Sequence, residues 1–338
     1  MGIHGGSLIK LCTLLCWAVD FCEVLAAKIS PKNTTPTAVV DGNCWIYECA
    51  CGIVSGLSAK SEYSSFGEFL RRYKTRLDYV KKCGWEIIIV FDGRRLPLKK
   101  DTHAKRESSR RKAAARRQTT AKVAVSDLST FHPSHELIHR LVLSLQEVNH
   151  QVIVAPHEGD PQCAYFMHTG KAHIVITRDS DLIAHGCKCV FFWNSIYHAA
   201  QSGGYGGKLY WKGSLWRCAD GLWKPILKLG WDAFLNVCVL TGTDYNVGVK
   251  NIAIKKAIKI VADCKTLEAS VVLLTDPDRR MFRNAVVPEG FLAAARKAKL
   301  MFKHALVFDP DRNCVCHERD LPEGSEPLIE VCINSKHV

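Results

Sequence analysis

Five short segments, each closing on one or two carboxylates, constrain this chain more than any other feature. They are TAVVDGNCW with Asp41, EIIIVFDGRR with Asp92, QVIVAPHEGD with Glu158 and Asp160, HIVITRDSD with Asp179 and Asp181, and VCVLTGTDY with Asp244. Four of the five set an apolar, mostly β-branched run directly ahead of the acids, as buried strands do. Open parallel sheets bring such residues together at their carboxyl edge, where α/β proteins build their sites. Seven acids on one edge repel one another unless cations neutralise them. An all-oxygen donor set of this kind suits Mg²⁺ or Mn²⁺. The residues by themselves therefore describe an α/β phosphodiesterase working with two metal ions.

The rest of the pattern fits one catalytic unit. Strands are predicted at 37–41, 86–91, 151–155, 173–177, 188–193 and 208–211, with helices at 66–82, 104–118, 134–148 and 161–169. That alternation predicts a mainly parallel sheet flanked by helices. GGYGG at 203–207 is a loop or hairpin. Helices are expected at 251–274 and 289–304, and the end from about 311 is expected to be irregular. Residues 8–27 have helical apolar spacing (Leu8, Leu11, Leu14, Leu15, Ala18, Val19), but Asp20 and Glu23 interrupt them. An amphipathic helix on the core is expected there, not a signal peptide or a membrane span. The start MGIHGGS fails the myristoylation pattern at Gly6. The 16 cysteines lack zinc spacing, and CVCH at 314–317 has no second half. Most are expected to be buried thiols.

The net charge of +13 is concentrated. Residues 94–122 hold twelve cations against Asp101 and Glu107, a local charge of +10. A helix across 104–118 is expected, and it would rise directly beyond Asp92. Such a run is commonly a solvated face or an import signal. Its placement beside the acids favours phosphate binding.

These residues together resemble the XPG-type structure-specific 5′ nucleases, the exonuclease 1 branch most closely, with flap endonucleases next. The segments that carry the resemblance are MGI.G, VVDGNCW, VFDGRRLPLKK, VAPHEGDPQCAY, ITRDSDLIAHGCK, VLTGTDYN and FKHALVFDP. The resemblance implies a PIN-like fold with a helical arch over the site and a helix–two-turns–helix region beyond the last acid. The regions it implies are an N-terminal nuclease region with the arch (1–120), an internal region (121–245), the helix–two-turns–helix region (246–310) and a tail (311–338). It implies 5′→3′ DNA exonuclease activity with flap-cutting capacity, in DNA repair, recombination or replication in the nucleus.

Carried over by residue, Asp41, Asp92, Glu158, Asp160, Asp179, Asp181 and Asp244 match the family's ligands for two Mg²⁺ ions, with Mn²⁺ as a substitute. Lys99 and Arg106 match its catalytic basic pair, and their spacing of seven puts them on one helix face. Gly2 matches a glycine lying close to the DNA, and Tyr47 a tyrosine that stacks on a base. Arg110, Lys250, Lys255 and Lys256 are further expected DNA contacts. Trp45 is expected to be packing, and His132, His135 and His139 structural or solvent-facing.

The expected partner is DNA with 5′ ends, flaps or nicks; no membrane is implied and no sliding-clamp motif is evident. The family's G-I-G hairpin is replaced by Asn251-Ile252-Ala253. Loss of both glycines should impede close backbone approach and argues against the family's K⁺ site. Two alternatives remain open at this point: a DNA-binding relative with little turnover, and an RNA-directed nuclease of the same fold.

Overall fold

The computed structural model describes residues 16–21, 35–51, 53, 63–119, 131–193, 206–212, 224–276, 278, 282 and 284–321. In chain order the strands are β1 (Cys16–Asp20), β2 (Thr37–Asp41), β3 (Glu86–Phe91), β4 (Gln151–Val154), β5 (Ile174–Thr177), β6 (Cys189–Trp193), β7 (Gly206–Trp211), β8 (Leu306–Asp309) and β9 (Cys314–His317). The helices are α1 (Gly42–Ala50), α2 (Tyr63–Lys82), α3 (Lys100–Thr119), α4 (His135–Gln146), α5 (Gly159–His168), α6 (Asp181–Ala184), α7 (Lys224–Leu229), α8 (Trp231–Thr241), α9 (Ile254–Cys264), α10 (Leu267–Thr275) and α11 (Phe291–His304).

Seven strands form one sheet in the order β1-β7-β6-β5-β2-β3-β4. The five from β6 to β4 are parallel, and β7 and β1 extend the sheet in antiparallel fashion. From β2 the chain builds β3 and β4 on one side, then β5 and β6 on the other. Strand order therefore reverses at β2, and a crevice opens beyond its carboxyl end. Val39, Val40, Ile89, Val90, Ile174, Val175 and Ile176 are fully buried, as expected of strands covered on both faces. On one side α2 contributes Phe69, Tyr73, Leu77 and Val80, spaced four, four and three apart. Helix α5 is buried along nearly its whole length, between β2 and the β8–β9 hairpin.

Three expectations change. Residues 16–20 form β1, paired with β7, where a helix was expected; the remainder of 8–27 lies outside the described residues apart from Phe21. The sheet offers those residues an antiparallel edge, which decides against helical spacing. The stretch 251–274 is two helices, broken where Lys265 takes φ 63° and Thr266 caps α10 through Ala269 N. The segment from 311 carries β9, which pairs with β8 in an antiparallel hairpin. The apolar run before Asp244, for which no element was predicted, forms helix α8. Among the described free cysteines only Cys314 is exposed. No helix among the described residues is long and apolar enough to cross a membrane.

Candidate metal centre

The parallel register brings the acids to one edge. Asp41 is the last residue of β2, Asp92 follows β3 directly, and Asp179 lies two residues past β5. Glu158 is the N-cap residue of α5 and Asp160 sits in its first turn, while Asp181 opens α6. Asp244 comes from a tight turn just past α8, in which Thr243 N donates to Asn246 O. A second turn follows at once, with Ile252 N donating to Val249 O, and then α9. Helix, two turns and helix are therefore contiguous, and the last acid lies inside the first turn.

Close backbone contact holds the β3 and β4 exits together. A Cβ on Gly93 would lie 1.9 Å from Ala155 O, so no other residue fits there. Asp92 Oδ1 accepts from Gly159 N at 2.7 Å, tying β3 to the start of α5. Asp41 accepts from Asn43 N and Cys44 N at α1 and from Thr177 Oγ1 at 2.9 Å on β5.

Oxygens of Asp160, Asp179 and Asp181 all lie within 4.8 Å of one another. Burial, and then the charge of Asp179, raises both Asp160 and Asp181 well above the usual carboxylate range. Burial and the charge of Asp92 push Asp41 up to about 7. Burial and Glu158 push Asp92 to about 6. Asp181 Oδ1 and Asp244 Oδ1 are buried without a hydrogen-bond partner. Buried oxygens left unpaired are costly, and carboxylates that resist ionisation by mutual repulsion are relieved by a cation. The donor set is entirely hard oxygen, so these residues fit a divalent ion of the Mg²⁺ type.

Two cations enter the cluster. Lys99, 5 % exposed, ends a 3-10 turn (Pro97–Lys99) instead of lying within α3. Its Nζ is 2.7 Å from Glu158 Oε2 and 3.6 Å from Asp244 Oδ2, and 4.6 Å from the centre of the Tyr245 ring. Burial alone would lower its pKa, but Glu158 and Asp244 outweigh burial and hold it above the ordinary lysine value. Arg106, in the second turn of α3, reaches Asp244 Oδ2 at 2.5 Å. Thr102 Oγ1 donates to Asp244 O at 3.0 Å, so α3 grips this turn at two points. Lys99 and Arg106, the two basic residues expected at the site, thus meet at one carboxylate.

The other expected contacts are spread wider. Tyr47 on α1 is 37 % exposed and meets Phe131 edge-on at 5.7 Å. Arg110 on α3 is close enough for its charge to act on the Tyr47 hydroxyl. Trp45 is fully buried between Tyr73 and Trp193. Lys250, Lys255 and Lys256 are exposed, Lys250 ahead of α9 and the other two in its first turn. His132, His135 and His139 are exposed. Gly2 lies outside the described residues.

Asn251 alters the expectation for its hairpin. It takes φ 64°, the left-handed conformation a glycine would supply, and Asn tolerates it better than most residues. Its Nδ2 donates to Asn284 O at 2.8 Å. Tyr245 was not singled out by sequence reasoning, yet its hydroxyl donates to Glu158 Oε2 at 2.7 Å. Its place directly after Asp244 was the available signal.

Two regions of the chain match models of one protein family. Residues 20–113 match the XPG N-terminal domain and residues 149–244 the XPG I-region. Exonuclease 1 of Drosophila melanogaster is 26% identical over 282 residues, covering 81% of this chain and 36% of the relative. The chain thus spans little more than a third of that curated relative's length. The catalytic core of Rad2 in complex with DNA substrate superposes with a TM-score of 0.62 at 16% identity, over 98% of this chain and 94% of that one. The Holliday junction-resolving enzyme GEN1, in complex with product DNA and Mg²⁺, gives 0.55 at 16% identity, over 88% of this chain and 64% of that one. These structural likenesses show a shared fold, a mainly parallel sheet flanked by helices.

Proposed function

Because this chain belongs to the XPG family, we propose that it is a metal-dependent 5′ nuclease, hydrolysing DNA phosphodiesters from 5′ ends and at 5′ flaps. The observation that carries the reading is the gathering of seven carboxylates from five separate segments, with Lys99 and Arg106 bonded among them. A purely structural edge gains nothing from acids that raise one another's pKa and leave buried oxygens unpaired.

Asp41, Asp92, Glu158, Asp160, Asp179, Asp181 and Asp244 would hold a pair of Mg²⁺ ions. When bound, such a pair would supply an activated water and stabilise the leaving oxygen. Asp160, Asp179 and Asp181 form the tightest part of the ligand set. Lys99 and Arg106 stand where the scissile phosphate would meet the acids, as fixed positive charge for the transition state. Tyr245 holds Glu158 in place from behind. Tyr47 and Arg110 form one flank for the DNA, and Lys250, Lys255 and Lys256 a second. GEN1 carries Mg²⁺ and product DNA on the same fold, and Exonuclease 1 is the named activity of the Drosophila relative. With that kinship goes a nuclear, DNA-repair setting.

The test is cleavage of 5′-flapped and 5′-recessed duplexes by the purified chain with Mg²⁺, in parallel with matched RNA flaps. Cleavage of DNA that stops in EDTA, and in the Asp179→Ala chain while DNA binding persists, is the expected result. Binding without any metal-dependent cleavage would instead assign a DNA-binding role, and preferential cleavage of RNA would reassign the substrate.

A further inference from the structure

Beside the acidic cluster lies a second charged group that the catalytic reading leaves unused. Glu48 on α1 is buried, its side chain 5% exposed, and sits between two guanidinium groups. Its Oε2 lies 3.6 Å from Nη2 of Arg76, on α2, whose side chain is 1% exposed. Its Oε1 accepts from Arg178 Nη1 at 2.9 Å. Arg178 is half-exposed and stands between Thr177, which holds Asp41, and Asp179 of the acidic triad.

One buried carboxylate facing one buried guanidinium balances in charge, and the hydrogen bond that Glu48 Oε1 accepts comes from Arg178. The group of three has a net charge of +1, and the surplus sits on its exposed member. A surface ion pair made for stability alone contributes little. An arginine anchored at one nitrogen to a buried partner is different: its fork is preorganised while its other nitrogens stay open to solvent. It then presents a fixed planar donor beside carboxylates that otherwise repel a polyanion.

Resting on the nuclease reading, we propose that Arg178 is a substrate-positioning residue that grips a DNA phosphate next to the scissile one, with Glu48 holding its guanidinium in place. The phosphate is either an internal diester of the cleaved strand or the terminal 5′ monoester. Both offer the paired oxygens that a guanidinium fork recognises.

Affinity for a 5′-flapped duplex, measured in EDTA across a KCl series, tests this on the wild-type, Arg178→Gln and Arg178→Lys chains. It is read together with kcat/KM in Mg²⁺ and the melting temperature. For Arg178→Gln the salt slope should fall by about 0.9, the share of a single neutralised phosphate. Its kcat/KM should drop roughly tenfold, the effect of removing one bidentate grip. Its melting temperature should stay within about 2 °C of wild type, because the glutamine amide can still donate to Glu48. Arg178→Lys should keep most of the slope but bind several-fold more weakly, because an ammonium lacks the fork.

Substrates with a 5′-phosphate and a 5′-hydroxyl separate the two sources. A loss confined to the phosphorylated end identifies the monoester, and an equal loss on both identifies the diester. A wild-type slope and kcat/KM in Arg178→Gln overturns the proposal. So does a loss that comes with a lowered melting temperature and is equal in both variants, which marks a folding role. A wild-type chain that neither binds nor cleaves the duplex overturns the nuclease reading first, and this proposal with it.

Discussion

Asp41 joins backbone to chemistry in a single side chain. It ends β2, caps α1 through two backbone amides and accepts a hydrogen bond from the Thr177 hydroxyl, yet stays surrounded by other carboxylates. Its pKa of about 7 stands well above the ordinary carboxylate value of 3.8. In the metal-free protein, then, the native state holds this proton more tightly than the unfolded chain does. The associated stability is fully present below pH 3.8 and is lost as pH rises through about 7. Asparagine at position 41 can accept the same two amides, so Asp41→Asn tests the charge with little change of shape. In EDTA, the unfolding free energy of the Asp41→Asn chain should fall less steeply between pH 4 and 7 than that of wild type. Equal slopes in urea denaturation across that range would show that Asp41 carries no such shift.

Among the elements, α5 depends most on a remote part of the chain. It carries Asp160 in its first turn, and its fully buried Gln162 pairs with β8. Gln162 Nε2 donates to Phe308 O at 2.8 Å and Phe308 N donates to Gln162 Oε1 at 2.7 Å. The side-chain amide thus stands in for a neighbouring strand, and the β8–β9 hairpin backs the helix that presents an acid. Replacing it by alanine leaves a backbone donor and an acceptor unpaired. Gln162→Ala should therefore cost about 2–4 kcal/mol, read from the urea midpoint, and a loss below about 1 kcal/mol would show that the hairpin does not rely on this pair. None of this is legible in the sequence: the segment after 311 reads as irregular because its pairing partner β8 is itself only four residues long. Short strands with partly exposed faces carry little periodic signal. The break between α9 and α10 is hidden for a related reason, since nothing in Cys264-Lys265-Thr266 resembles a glycine stop.

At the scale of the molecule, two opposite charge densities are built side by side. The acids converge at the sheet edge, while α3, exposed over most of its described length, places its cations next to them. The acidic edge on its own is an energetic liability, and a bound divalent ion removes it. Ligand binding to the native state alone stabilises by about 2.7 kcal/mol at one hundred times Kd. Mg²⁺ should therefore raise the melting temperature above that in NaCl of equal ionic strength, and a chain with both Asp160→Asn and Asp181→Asn should lose the response. An equal rise in both chains would place the ion elsewhere. The sheet itself was legible from sequence: β2, β3, β5 and β6 fall where apolar runs placed them, because strands buried on both faces are written as unbroken apolar runs. Residues 16–20 were not, because β1 owes its form to β7, nearly two hundred residues on.

What the sequence determined by itself is the identity of the acids, the alternation that makes a parallel sheet, and the proximity of a basic helix to Asp92. Each is a local pattern in which period, charge and spacing carry the physics directly. The tertiary structure alone decided which groups meet. It put Lys99 and Arg106 on a single carboxylate, bonded Tyr245 to Glu158, ran helix α8 up to the turn that carries Asp244, and gave Asn251 the left-handed turn of the missing glycine. It also joined Arg178 to Glu48, across 130 residues. Such contacts depend on through-space distances of a few ångströms between segments far apart in the chain, and no periodicity records those.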